Sequence, residues 1–129
     1  MKKFLSIVPR WIPALLLMLA IFLFSSRASA DLPDFYDWDY FIKKSAHAVG
    51  YWLLTLSYLH GLKWNKKYYA LAWLLALAYA VTDEFHQSFV PGRQASVFDV
   101  LIFDNLGAAF ALLLYFIYWR KHEKEIYPT

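Results

Sequence analysis

The stretch Asp83-Glu84-Phe85-His86-Gln87-Ser88-Phe89-Val90-Pro91-Gly92-Arg93 sets two acids, a histidine, a glutamine and an arginine directly against apolar sequence. Upstream of it, Tyr68 to Thr82 is apolar and continues without a breaker. The spacing therefore predicts one helix from Tyr68 to about Phe89, stopped by Pro91-Gly92. Asp83 and Glu84 then lie inside a helix rather than on a loop. A charged side chain at membrane depth costs about 2.5 to 3.5 kcal/mol on insertion scales, so such groups pair with one another or line a polar cavity. The plainer reading makes the segment the solvated end of a helix followed by a Pro-Gly turn.

Outward from this stretch the chain stays apolar. Of 129 residues, 60% are hydrophobic and 21% aromatic, above the make-up of an ordinary globular domain. The mean hydropathy of +0.36 is moderate because Lys, Arg and Asp crowd the gaps between apolar runs. No cysteine is present, which excludes disulfides, thiolate catalysis and a cysteine-ligated zinc site. The net charge of +3 does not point to nucleic acid, because the basic residues sit at the ends of apolar segments instead of in one patch.

Three further apolar runs accompany the Tyr68–Phe89 helix. The first, Phe4 to Phe24, is about long enough to span a bilayer. Together with Met1-Lys2-Lys3 and Ala28-Ser29-Ala30 it also has the form of a signal peptide with a small-residue cleavage site. Residues 31 to 43 mix Asp31, Pro33, Asp34, Asp37 and Asp39 with aromatics and read as an interfacial loop, with Trp38 and Tyr40 at head-group level. The second run, residues 44 to 62, carries Lys44, His47, Tyr51 and Ser57; His47 is one helical turn from both Lys44 and Tyr51. An isolated histidine there is more often an interfacial residue with no role. The last run, residues 96 to 119, holds Asp99, Asp104 and Asn105 in its first half and precedes a charged tail, Arg120 to Thr129.

These runs predict an all-α membrane protein, a single domain over residues 1–129, built as a bundle of four transmembrane helices with spans near 4–24, 44–62, 68–89 and 96–119. Nine of the thirteen basic residues flank the spans on one side (Lys2, Lys3, Arg10, Lys63, Lys66, Lys67, Arg120, Lys121, Lys124), against Arg27, Lys43, Lys44 and Arg93 on the other. By the positive-inside rule both termini are cytoplasmic, in a multi-pass protein of the cytoplasmic (inner) membrane. Helical rise converts position into depth. At about 1.5 Å per residue His47 stands roughly 24 Å above Lys63 and Asp83 roughly 24 Å above Lys67, with Asp104 and Asp99 roughly 22 and 30 Å above Trp119. All four fall in the outer third of a hydrocarbon core about 30 Å thick.

Close packing points the same way. Ala72, Ala76 and Ala80 form a small-residue row whose next position is Glu84, and Asp104, Gly107 and Ala111 share one side of the last helix. Such rows let helices approach closely in a bilayer, and Ala46 with Gly50 can serve the second helix in the same manner. Glu84 and Asp104 thus point toward other helices. On a regular helix Asn105 points nearly opposite to Ser96, so the last span cannot turn all its polar residues to one site.

The chain resembles the VanZ-like family of small multi-pass bacterial membrane proteins over nearly its whole length. The resemblance rests on Phe24-Ser25-Ser26, on Lys44-x-x-His47-x-x-x-Tyr51, on Asp83-Glu84-x-x-Gln87 with Pro91-Gly92-Arg93, and on Ser96-x-x-Asp99 with Gly107-Ala108. The block from Asp83 to Arg93 is its specific part. The resemblance implies a link to glycopeptide resistance, specifically to teicoplanin, and an outward-facing site suits that link because teicoplanin acts on peptidoglycan precursors outside the membrane.

The site residues expected from the sequence are His47, Asp83, Glu84, Gln87, Arg93 and Asp99, in a catalytic or a binding role. Three functions compete. Carboxylates with a histidine can perform acid-base chemistry on a lipid-linked or phosphate-bearing envelope substrate, with Arg93 gripping an anionic group. Asp83, Glu84 and Asp99 can instead hold a hard cation such as Mg²⁺ through oxygen, and no nucleophile is evident. The same cluster also suits a small transporter or proton relay, or a non-enzymatic protein that binds a lipid head group or glycopeptide or scaffolds the bundle. The expected partners are membrane lipid and a lipid-linked envelope precursor or glycopeptide, not nucleic acid. The sequence specifies no cofactor, metal or oligomeric state.

Overall fold

The computed structural model describes residues 2–28, 34, 36–92, 98 and 100–126. These residues form four long helices and, among them, no strand: α1 (Lys2–Ser25), α2 (Asp39–Gly61), α3 (Tyr69–Gln87) and α4 (Asn105–Ile126). Short 3₁₀ turns, Tyr36–Trp38 and Lys66–Tyr68, lead into α2 and α3, and a π-helical turn, Val100–Asp104, leads into α4.

Residues 39–43, expected in a loop, are helical. Asp39 occupies the first turn of α2, where a carboxylate meets the positive end of the helix dipole, and it pairs with Lys43 at 2.8 Å. At the far end of α2, Lys63 and Trp64 both adopt left-handed backbone conformations, with φ of 60° and 56°. Non-glycine residues rarely do so. The turn is held by a bond from the Trp64 amide to the Leu59 carbonyl at 2.7 Å and by the Tyr115 hydroxyl, which donates to the Trp64 carbonyl. Asn65 then caps the next turn, accepting from the Lys67 amide at 3.0 Å. Helix α3 ends at Gln87, two residues before the expected limit, and the chain turns through Pro91 and Gly92, whose φ of 72° suits glycine. Helix α4 continues through residues expected in the charged tail, as far as Ile126.

The packing is the reverse of a water-soluble core. Inside lie small residues, Ala14, Ala72, Ala76, Ala80, Ala108 and Ala111, with Tyr51, Leu54 and the polar Ser25, Thr55, Asp83 and Asp104. Outside lie large apolar ones, such as Leu16 (61% exposed), Leu106 (60%) and Ile117 (55%). Small residues inside and bulky apolar ones outside is how helices associate in lipid, where no hydrophobic gain comes from burying leucine. Among the described residues, Leu101–His122 is long and apolar enough to cross a membrane, with a mean hydropathy of 1.8, and Pro9–Ser25 is a shorter apolar helix. Both features are those of a membrane protein.

Helix α2 packs against the other three. Its closest approach is at Gly107 of α4, where an added Cβ would stand 2.2 Å from the Ala48 carbonyl oxygen. Gly61 meets the Trp11 ring similarly, at 2.7 Å from such a Cβ. Trp11 beside Gly61, and Tyr115 on Trp64, set one end of the molecule; Ser25, His47, Asp83 and Asp104 lie toward the other.

Candidate functional site

Helices α1 and α3 meet where the first apolar run gives out. Ser25, fully buried, donates to Asp83 Oδ2 at 3.0 Å, and Gln87 Nε2 donates both to Ser25 Oγ at 3.1 Å and to Asp83 Oδ2 at 3.0 Å. Asp83 and Gln87 are one helical turn apart, so α3 presents both toward the end of α1. Two donors converge on one carboxylate oxygen, leaving Oδ1 without a hydrogen bond.

Helices α2 and α4 build the second half. His47 Nδ1 stands 3.7 Å from Asp104 Oδ1, both side chains being almost completely buried. That distance is an ion-pair contact and too long for a hydrogen bond. Lys44, buried one turn before His47, is close enough to Asp104 to interact with its charge. Asp104 closes the π-helical turn. An extra residue in a helical turn re-aims the side chains beyond it, and such turns are frequent at functional sites. Next to it, Asn105 accepts from Trp73 Nε1 at 2.8 Å and ties α4 to α3.

Tyr51 joins the halves. It is 1% exposed, feels the charge of both Asp83 and Asp104, lies with its ring 6.2 Å from that of His47, and makes no hydrogen bond through its hydroxyl. Ser25, His47, Tyr51, Asp83, Gln87 and Asp104 therefore form one buried polar layer drawn from all four helices. Glu84, the neighbour of Asp83, is buried as well.

On the rim of this layer His86 stacks on Phe22 with ring centres 4.6 Å apart, and its Nε2 lies 2.9 Å from Ser26 Oγ. The single hydroxyl proton of Ser26 goes to the Phe22 carbonyl at 2.7 Å. The network thus assigns the shared proton to His86 Nε2, with Ser26 as acceptor, an arrangement that fastens α1 to α3 and does not activate Ser26 as a nucleophile.

Of the residues expected from the sequence, His47, Asp83 and Gln87 come together in the polar layer and Glu84 is buried beside it. Arg93 and Asp99 lie outside the described residues. Sequence reasoning passed over Ser25, Lys44 and Tyr51 as site residues and left Asp104 open; the signals for them were hydroxyls at the end of an apolar run and a lysine one turn from His47. Among the described residues, no three His, Asp or Glu side chains are gathered closely enough to hold a metal ion. The layer offers carboxylate acceptors, one imidazole and one phenol, a set suited to binding hydrogen-bond donors and moving protons.

No curated protein and no solved structure matches the chain. The VanZ/LLP1 family matches residues 8–119, a span that takes in every described member of the polar layer and most of each helix. By that match the chain belongs to the VanZ/LLP1 family.

Proposed function

We propose that this protein crosses the cytoplasmic membrane four times with both termini inside, and that its polar layer, in the outer third of the bilayer, binds or acts on a cell-envelope or lipid-linked molecule. The observation that carries the reading is the convergence of Ser25, His47, Tyr51, Asp83, Gln87 and Asp104, from four helices, in one buried layer. Burying carboxylates among apolar helices is unfavourable, and residues of similar size without charge would often serve stability as well or better. Recognition or chemistry is the reason to keep them. A connection to teicoplanin resistance follows from the family resemblance and suits a site that faces the envelope. The titratable sequence His47, Asp104, Tyr51, Asp83 favours a second reading, a proton relay, which a pH-driven proton flux through the protein in liposomes would establish.

The test uses Glu84→Gln and Arg93→Lys. The first keeps shape and removes charge; the second keeps charge and removes the planar fork that grips two oxygens at once. Both variants are expected to reach the membrane at parental levels and to lose protection against teicoplanin. Full protection in both, or a loss explained by failure to accumulate, overturns the proposal.

A further inference from the structure

Between α1 and α2 a groove of about 330 Å³ runs along the outside of the protein and stops at the polar layer. Its walls are Ala20 and Phe24 on one side and Ala46 and Gly50 on the other, and His47 and Tyr51 lie at its polar end. Small residues form much of its wall: a Cβ at Gly50 would just reach van der Waals contact with Ile21 Cγ1, at 3.8 Å. Ala20 and Ala46 are exposed, so the groove is open along its length to whatever surrounds α1 and α2. Its volume is at the lower end of the range for small-molecule pockets, about 300 to 1,000 Å³.

The polar end is unfinished in a specific way. In the polar layer beyond it, the Tyr51 hydroxyl, Asp83 Oδ1 and Asp104 Oδ1 are buried and make no hydrogen bond among the described residues. Tyr51, which lines the groove, is 1% exposed and Asp104 2%. Leaving such a group unsatisfied costs about 1 to 3 kcal/mol, more when it is charged. Two of the three are carboxylate oxygens, so what completes them must bring hydrogen-bond donors. A phosphate would bring negative charge to Asp83 and Asp104, and the Lys44 charge beside them is already set against Asp104.

We infer that the groove holds one hydrocarbon chain of an amphiphile whose uncharged, hydroxyl-bearing head group hydrogen-bonds to Tyr51, Asp83 and Asp104. This rests on reading the polar layer as a ligand site, and it names the class of ligand. The chain enters sideways from the bilayer and replaces the lipid that would otherwise cover Ala20, Ala46 and Gly50. The head group is drawn past His47 into the layer.

Photolabelling of the full-length protein in phosphatidylcholine nanodiscs tests this. The probes are a monoacylglycerol carrying a diazirine in its acyl chain and a lysophosphatidate with the same chain. The monoacylglycerol is expected to label residues 17–24 and 46–51 about tenfold more strongly than the lysophosphatidate, the ratio that one to two hydrogen bonds give. Ala46→Trp, and independently Ala20→Trp, fill the groove from its exposed walls and should remove that labelling, while Tyr51→Phe should bring the two probes toward parity. Equal labelling by both probes, labelling spread evenly over Leu113 and Phe116 on the exposed side of α4, or undiminished labelling in folded tryptophan variants overturns the inference. If the groove stays unlabelled while Glu84→Gln still abolishes protection in cells, the groove falls and the functional reading stands. Labelling confined to the groove, with protection intact in Glu84→Gln and Arg93→Lys, has the opposite meaning.

Discussion

Ser25 holds the end of α1 against α3 through Asp83 and Gln87, and its removal leaves both partners short of a contact in a buried setting. Ser25→Ala is therefore expected to destabilise the protein by about 1 to 3 kcal/mol. Thermal unfolding in detergent checks this, with the exposed Ser57→Ala, whose hydroxyl bonds only to the Leu53 carbonyl of its own helix, as the neutral comparison. Gln87→Leu should cost a similar amount, since it too leaves Oδ2 of Asp83 with one donor. At this scale the sequence was legible wherever a charged or amide side chain interrupted an apolar run, because helical rise alone sets its depth. His47, Asp83 and Gln87 were singled out that way, and all three lie in the polar layer. Ser25 was not, since a hydroxyl closing an apolar run is common and its meaning depends on which helix it meets. Depth carries no azimuth, so the bond from Ser25 to Asp83 could not be read from either helix by itself.

Helices α2 and α4 touch backbone to backbone, and Gly107 is the residue that permits it. A methyl at this position collides with the Ala48 carbonyl, which is rigid, so the helices must separate and carry His47 away from Asp104. Gly107→Ala is expected to cost about 1 to 3 kcal/mol in the unfolding measurement, the usual effect of overpacking. Gly107→Leu should prevent accumulation in the membrane. Trp73→Phe, which removes one bond between α3 and α4, should cost about 1 kcal/mol and leave the polar layer in place. The row Ala72, Ala76 and Ala80 was legible in the sequence because it repeats at four-residue spacing, and all three are buried; Ala46 and Gly50, expected to serve α2 in the same way, instead line the open groove beside α1 because Ala46 is exposed. The start of α4 was not, because a regular helix was assumed where the chain makes a π-helical turn at Val100–Asp104; the extra residue alters every direction projected from one side of it to the other. The beginning of α2 was read late for a different reason: Asp39 and Asp37 suggested a loop, yet an acid in the first turn favours a helix.

For the molecule as a whole, the aromatic residues Trp64, Tyr69, Tyr115 and Trp119 cluster at the end that carries Lys63, Lys66 and Lys67, with Lys66 positioned over the Trp119 ring at 5.7 Å. Aromatic rings with lysines beside them suit a membrane interface, and the proposed orientation makes it the cytoplasmic one. A cysteine at Lys66 is expected to resist an impermeant thiol reagent in intact cells and to react after permeabilisation, whereas a cysteine at the exposed Trp38 should react in both conditions. The reverse pattern would turn the polar layer toward the cytoplasm. The helix order followed from the apolar runs, but what fixes the turn between α2 and α3 came from a distant part of the chain. Because Tyr115 on α4 closes onto the Trp64 carbonyl, that turn is completed by a segment made after both helices it joins. N-terminal segments form first during synthesis. A nascent chain of three helices thus carries two left-handed residues without their clasp and a His47 awaiting Asp104. Its α2–α3 hairpin stays provisional until that one tyrosine arrives, so the order of synthesis leaves an interval in which the turn between two finished helices is not yet locked.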